Sequence, residues 1–334
     1  MKHPGLVLAA ATGVIFAMSG SASPGALSAA PPGNATTAAR PHCFGKVATI
    51  VGTRGADRIS GTPGADVIAG NGGRDQIFGR GGADLICDRN PEAARLHGGS
   101  GDDRILGSGA MAGGPGDDLL TSPRRVSLPA FRGGSGDDVL RSRAGFAAFF
   151  FPGPGDDVVK GRPSAKFNIL ELTHARRGSV VDLRSGTADG PGHDTLSAIN
   201  AVYGSKFNDV FRGDGHSNLL FGRAGNDVIV GRGDGDAAIG GPGDDDLNGG
   251  PGRDNLQGQA GSDVLRGRSG NDTLIEVGPD ANLVLAGPGR DRCYGSYRVP
   301  PSVERSCELH KPAPLVVSRP MSRSALLQLY RSTR

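Results

Sequence analysis

Residues 204–275 read GSKFNDVFR, GDGHSNLLF, GRAGNDVIV, GRGDGDAAI, GGPGDDDLN, GGPGRDNLQ, GQAGSDVLR and GRSGNDTLI, eight units of nine residues without a gap. Position 1 is always Gly, position 4 mostly Gly, position 6 is Asp in seven of the eight, and position 8 is aliphatic or Phe in all but one. A fixed nine-residue period marks a repeat architecture. In an extended segment neighbouring side chains point to opposite faces, so a three-residue strand centred on position 8 buries only its middle member. The other six residues form a Gly-rich turn. The pattern predicts an all-β chain, a parallel β-roll (β-solenoid) with two units and therefore two short strands in each turn.

The same period opens at Gly52 with GTRGADRIS, GTPGADVIA, GNGGRDQIF and GRGGADLIC, where Ile59, Ile68, Ile77 and Ile86 hold the inward place. Four isolated units then begin at Gly98, Gly113, Gly133 and Pro152, separated by 15, 20 and 19 residues. These separations scatter around two units, and the residue two places before each unit is apolar: Leu96, Met111, Phe131 and Phe150. Each isolated unit is read as following a degenerate partner that keeps its strand and has lost its Gly-Asp turn. Carboxylate turns from 79 through 152 are then expected along one edge, with irregular loops on the other. Residues 161–203 lack the turn signal but contain the strand-like FNILEL, SVVDL and TLSAINAVY. They are read as bridging rungs between a first block, 42–160, and a second, 204–294. After Ile275 the register slips by one residue and resumes at Ala286 with AGPGRDRCY.

The ends of the chain differ from its body. Residues 1–22 carry Lys2 and His3, an apolar run from Leu6 to Met18 and then small residues, the layout of a signal peptide cleaved after Ala22. The run is shorter than the ~20 apolar residues a spanning helix needs, so no stable membrane insertion is expected after cleavage. Residues 23–41, rich in Ala, Pro, Gly and Thr, read as a disordered linker. All 34 acidic residues lie within 41–310; seven of the 37 basic ones lie outside it, which leaves 30 against 34 there. The basic tail 308–334 is expected to be disordered. Four cysteines in an exported chain imply two disulfides. The local pairs Cys43–Cys87 and Cys293–Cys307 are favoured among the three possible pairings, each tying a cap, the second over residues 295–307.

At GGxGxDxUx the chain resembles the nonapeptide repeats of the RTX (hemolysin-type) family of secreted bacterial proteases, lipases, toxins and epimerases. Thirteen units have Gly at position 4, Asp at 6 and an aliphatic residue at 8. The resemblance implies binding of multiple calcium ions. The implied ligands are Asp57, Asp66, Asp75 and Asp84 in the first block, then Asp103, Asp118, Asp138 and Asp157 in the isolated units. In the second block they are Asp209, Asp227, Asp236, Asp245, Asp254, Asp263 and Asp272. The turn glycines are Gly55, Gly64, Gly73, Gly82, Gly101, Gly116, Gly136, Gly155, Gly225, Gly243, Gly252, Gly261 and Gly270. Phe207, His216, Asn218, Asp234 and Ala238 depart from the pattern and weaken units 204, 213 and 231. Residues 161–203 are expected to be metal-free.

Physical chemistry agrees with the resemblance. Calcium takes six to eight hard oxygen ligands, and Gly-rich turns can aim main-chain carbonyls where a Cβ would crowd. Stacked rungs set equivalent Asp residues about 4.8 Å apart. Each such pair repels by ~1 kcal/mol in water and roughly 3.5 kcal/mol at an effective dielectric near 20, so an empty ladder opposes its own folding. Without a bidentate Glu, affinities in the weak extracellular range of ~0.1 to 1 mM are expected. A metal-free solenoid, in which Gly and Asp merely suit tight turns, is the competing reading.

An extracellular calcium-binding protein without a catalytic domain is therefore expected. No HExxH or GxSxG motif is present. His174, His193 and His216 lie among Ser and Asp residues and are read as exposed turn residues. The alternative role is an adhesin or matrix protein that meets a cell-surface polysaccharide through its tail and through Arg124, Arg125, Arg141, Arg143, Arg176 and Arg177. Basic residues interleaved with aromatic ones are absent, which argues against nucleic-acid binding.

Overall fold

The computed structural model describes residues 40–90, 94–124, 126, 128–276 and 282–295, together with the backbone of the strand Cys307–His310. The expected signal peptide, nearly all of the linker, the basic tail beyond 310 and most of the C-terminal cap lie outside the described residues. The rest is a parallel β-roll whose successive units alternate between a 14-stranded and a 15-stranded sheet. No helix occurs among the described residues.

The nine-residue period sets the architecture directly. Strands Arg58–Ser60, Gln76–Gly81 and Arg95–Ser100 stack in the first sheet with Ile59, Ile77 and Leu96 in register. Val67–Ala69, Leu85–Asp88 and Arg104–Gly107 stack in the second with Ile68, Ile86 and Ile105 in register. The position-8 side chains from both sheets meet in one core that runs the length of the roll. Burial of each is worth roughly 1.5–3 kcal/mol. Within this core Phe131 and Phe150 stack with ring centroids 5.0 Å apart.

The degenerate partners keep their strands. Ala110–Pro115, Ala130–Ser135 and Ala147–Phe151 pair in the 14-stranded sheet, with Met111, Phe131 and Phe150 in register. The loops that replace their lost turns supply Leu128 and Phe146 to a second apolar cluster with Phe149, Ile169, Tyr203 and Phe221.

Residues 161–203 continue both sheets. Phe167–Glu171 and Ala201–Tyr203 join the 14-stranded sheet. His193–Ser197 joins the other beside Val158–Lys160. Between His193–Ser197 and the next parallel rung lies an antiparallel pair, Val180–Asp182 with Thr187–Asp189. Asp182 receives two hydrogen bonds from the Arg232 guanidinium, at 2.9 and 2.8 Å, which fasten this insertion to the second block and hold the Asp182 carboxyl below its usual range.

At the N-terminal end a hairpin of His42–Cys43 and Lys46–Val47 is tied to the roll by the expected Cys43–Cys87 disulfide. Cys293 is buried and disulfide-bonded. The strand that begins at Cys307 pairs with Asp291–Tyr294, while the Cys307 side chain is outside the described residues.

Candidate metal centre: two edges of stacked carboxylates

Because each unit advances the chain by half a turn, its position-6 residue falls on one of two edges. Turns that enter the 15-stranded sheet carry Asp66, Asp84, Asp103, Asp118, Asp138 and Asp157, then beyond the insertion Asp209, Asp227, Asp245 and Asp263. Turns that enter the 14-stranded sheet carry Asp57 and Asp75, then Asp236, Asp254 and Asp272. The isolated units therefore stack along a single edge, as the spacing of two units implies.

The rungs are laced by one hydrogen bond repeated. The main-chain N–H of each ladder Asp donates to Oδ1 of the Asp one rung further on, at 2.8 Å from Asp84 to Asp103, Asp103 to Asp118, Asp118 to Asp138 and Asp138 to Asp157. Asp227 to Asp245 and Asp236 to Asp254 repeat it at 2.7 and 2.8 Å. Oδ1 is thus satisfied by the chain, and the fate of Oδ2 divides the turns into two kinds.

In the closed kind Oδ2 is also satisfied locally. The N–H groups of Thr53, Thr62 and Ser205, each at position 2, donate to Oδ2 of Asp57, Asp66 and Asp209 at 2.7, 2.6 and 2.7 Å. Their hydroxyls approach the same carboxylates. Asn218 is held likewise by the N–H of Asp214. In the open kind position 2 has positive φ, as in Asn71, Arg80, Gly99, Gly114, Gly134, Gly153, Arg223, Arg232, Gly241, Gly250, Arg268 and Gly287. There Oδ2 of Asp75, Asp84, Asp103, Asp118, Asp138, Asp157, Asp227, Asp236, Asp245, Asp254, Asp272 and Asp291 is buried with no hydrogen-bond donor. None of Thr53, Thr62, Ser205 and Asp214 has positive φ.

The space before each open Oδ2 is bounded by another acceptor. A methyl on Gly79 would stand less than 3 Å from both Asp84 Oδ2 and the Gly98 carbonyl oxygen of the next rung, and one on Gly133 would crowd Asp138 Oδ2 and the Pro152 carbonyl. Glycine leaves that space free. One rung shows what the place accepts. In the rung opened by Gly161, which is two residues longer before its strand, Asn168 takes the position-6 place two residues before the inward Leu170, and its Nδ2 donates to the carbonyls of Arg162 and Ala198 at 2.9 and 2.7 Å. An amide N–H of partial positive charge fills there the place that a carboxylate oxygen faces elsewhere.

Unpaired burial raises the ladder pKa values. Desolvation is the largest cause, and neighbouring carboxylates add to it. Asp138 and Asp245 are pushed up to about 8, Asp118, Asp227 and Asp254 to about 7, and Asp103, Asp157 and Asp236 to about 6. Main-chain hydrogen bonds to the carboxylates oppose the rise.

The donor set fits a hard divalent cation: carboxylate oxygens without donors, main-chain carbonyls converging on the same space, and like charges in need of compensation. No three His, Cys, Asp or Glu side chains converge among the described residues, so carbonyls must supply much of any coordination shell.

Sequence reasoning passed over several members. Residues 161–203 are not devoid of the carboxylate turn: Asp194 takes the ladder place beyond Asp157, its Oδ1 accepting the Asp157 N–H at 3.1 Å. Its unit, DGPGHDTLS, fits the repeat at every place except the first, which is the signal that reveals it. Asp291 takes the rung beyond Asp272. At position 5 a parallel, solvent-exposed ladder runs from Asp102 through Asp117 and Asp137 to Asp156. His174, His193 and His216 are exposed, and the only hydrogen bond of a ring nitrogen found among them is from His193 to Asp189.

The family model described as an RTX calcium-binding nonapeptide repeat (4 copies) matches residues 51–86, 93–110, 194–229, 203–237 and 239–274. These matched segments carry the RTX calcium-binding nonapeptide repeat. No curated protein matches the chain. The same ladder geometry also runs through 111–157, between the matched segments, because the degenerate partners preserve the rung spacing.

Proposed function

We propose that this is an exported calcium-binding protein with a structural role, whose β-roll forms when calcium fills the open turns. The observation that carries the reading is the row of twelve buried Oδ2 atoms without a donor, each in a turn whose second residue has positive φ. In the turns where a neighbouring carbonyl also bounds the space, an acceptor faces an acceptor, and where neither a proton nor an amide N–H stands between them a cation reconciles the two in a desolvated place. Asp84, Asp103, Asp118, Asp138 and Asp157 would hold one series of ions, and Asp227, Asp245, Asp236, Asp254 and Asp272 two others. The closed turns of Asp57, Asp66 and Asp209 would serve as metal-free rungs. Bound calcium supplies positive charge between stacked carboxylates, and metal binding becomes coupled to folding. Such a chain would stay unfolded where calcium is scarce and fold after export.

Far-UV circular dichroism of the mature chain tests this. The β signal should appear on addition of millimolar calcium and vanish in excess chelator at pH 8; the same spectrum in both would reject the reading.

An anionic polysaccharide at the cell surface is the partner we propose second. Its support is a set of half-buried aromatic rings beside cations on the outer sheet face: Arg132 lies 4.2 Å from the Phe151 ring centroid, and Lys166 5.6 Å from that of Phe167. Retention of wild-type protein but not of Arg132→Ala on an immobilised acidic polysaccharide would support it, and equal passage of both would not.

A further inference from the structure

In a regular open turn the first residue of the next rung brings a main-chain carbonyl toward the ladder carboxylate, as Gly98 does for Asp84. Asp189, which holds that place in its unit, is acidic but exposed; at two further places the first residue is acidic and buried. Asp88 stands one rung beyond Gly70, and Glu276 one rung beyond Gly258, each 18 residues on. Both side chains turn into the roll, with 0 % of Asp88 and 1 % of Glu276 exposed.

We propose that Asp88 and Asp75 together hold a separate divalent cation, in a site where two carboxylates rather than one meet the ion. The inference rests on the calcium reading of the ladder and adds a site outside the nonapeptide pattern. A methyl on Gly70 would meet Asp75 Oδ2 and the Asp88 carboxyl carbon, the latter at 3.3 Å, so the two groups border one space. Each carboxylate has one oxygen committed to the main chain: Asp75 Oδ1 accepts from Asp57 N–H at 2.9 Å and Asp88 Oδ1 from Asn90 N–H at 3.1 Å. Each has its Oδ2 buried without a donor, and Asp75 is 1 % exposed. None of the ion pairs among the described residues involves either group.

The position in the fold explains why an acid is needed there. The edge that begins with Asp57 and Asp75 loses its carboxylate at the next rung, where Ala94 takes the position-6 place. A carboxylate on the first residue of that rung restores the charge that the missing Asp would have brought. The segment is also held in place. Asn90 Nδ2 donates to the Gly73 carbonyl at 2.8 Å, which clamps residues 88–90 against the turn that carries Asp75. Glu276 repeats the placement on the other edge: Glu276 Oε1 and Asp263 Oδ2 both lie within 3 Å of a methyl built on Gly258. With oxygen ligands alone and no His or Cys, the chemistry selects a hard ion of the calcium class over zinc. Two carboxylates on one ion should make it bind more tightly than the single-carboxylate turns.

Calcium titration of the full chain by calorimetry and equilibrium dialysis tests the site, with Asp88→Asn compared to Asp138→Asn in the regular ladder. Asp88→Asn should bind one equivalent fewer and lose the tightest class. Asp88→Gly, which restores the regular first residue, should keep that equivalent with about ten-fold weaker affinity and serves if the amide variant does not fold. Unchanged stoichiometry and affinities in Asp88→Asn, alongside a loss in Asp138→Asn, would overturn this site alone. A wild-type chain that binds no calcium would overturn the ladder reading itself.

Discussion

The turns 61–66 and 79–84 sit one rung apart on the same edge, and the Asp66 N–H donates to Asp84 Oδ1 at 2.8 Å. They share Gly at positions 1 and 4 and Asp at position 6. Yet Asp66 Oδ2 receives the Thr62 N–H and hydroxyl, while Asp84 Oδ2 receives nothing and is buried. The difference lies four residues before the carboxylate. Thr62 keeps an ordinary backbone and turns its N–H inward, whereas Arg80 adopts φ 86° and does not. On the calcium reading proposed above, a position-6 Asp is not by itself a cation site: the second residue of the unit is expected to set whether the chain or an ion completes it.

Removing calcium should expose this contrast most strongly. A site at 100-fold excess of calcium over its dissociation constant contributes about 2.7 kcal/mol. Ten or so open turns together would exceed the whole net stability of a typical domain, about 5–15 kcal/mol. Chelation at pH 8 is expected to unfold the open stretches. Hydrogen exchange read segment by segment should show protection surviving longest around the closed turns 52–66. Uniform loss of protection along the chain would break the comparison.

A single substitution in the longest ladder comes next. Asp138 lies between Asp118 and Asp157 and is pushed up to about 8 by burial and by both neighbours. Asp138→Asn should lower stability in saturating calcium by about 2–3 kcal/mol, the contribution of one site. In chelator the sign should reverse, since the amide removes a buried, repelled charge. Thermal melts in calcium, and the concentration of stabilising osmolyte needed to restore the β signal in chelator, measure the pair; destabilisation of the same size in each would mean that Asp138 acts only through packing.

The raised pKa values give a third test with a definite sign. Folded-state values near 6–8 lie above the unfolded value of 3.8, so the metal-free roll binds more protons than the unfolded chain between those limits. Its stability should be fully present below about pH 4 and fall as pH rises to about 8. With calcium present the dependence should invert over the same window, because protons and the ion compete for Oδ2. Melting curves from pH 4 to 8, with chelator and with calcium, should therefore cross.

How much of this was legible in the sequence differs by feature. The period identifies the strands, and Ile59, Ile68, Ile77 and Ile86 are inward because alternation leaves no other choice. The spacing of the units at 98, 113, 133 and 152 was enough to put their carboxylates on one edge, because strand stacking counts rungs and ignores loop length. Asp194 was hidden by the hairpin that precedes it and by Asp189 in the place of the first Gly. Asp88 was hidden because, after Cys87, it reads as the start of a decayed unit. The closed turns were not legible at all: Thr62 and Arg80 are both unremarkable polar turn residues, and only backbone geometry shows which way the N–H points.

Exchanging the second residues addresses that last point. Thr62→Gly should free position 2 to take positive φ, open the turn and add one calcium equivalent. Gly99→Thr should close the turn of Asp103 and remove one. Stoichiometry by equilibrium dialysis reads both, and unchanged counts in both would show that the second residue follows the turn and does not direct it.

The smallest effect is expected at Asp66 itself. Its carboxylate accepts from Thr62 N–H at 2.6 Å and from the Thr62 hydroxyl at 3.0 Å, so the turn is complete without an ion. In Asp66→Asn an amide can still accept one of these bonds, and the loss should be near the value of one hydrogen bond, about 1 kcal/mol. Because no ion leaves, the loss should be equal in calcium and in chelator, unlike the sign change expected at Asp138. A calcium-dependent loss at Asp66 would mean that the closed turns bind the ion after all, and that the internal hydrogen bonds of Thr62 give way to it.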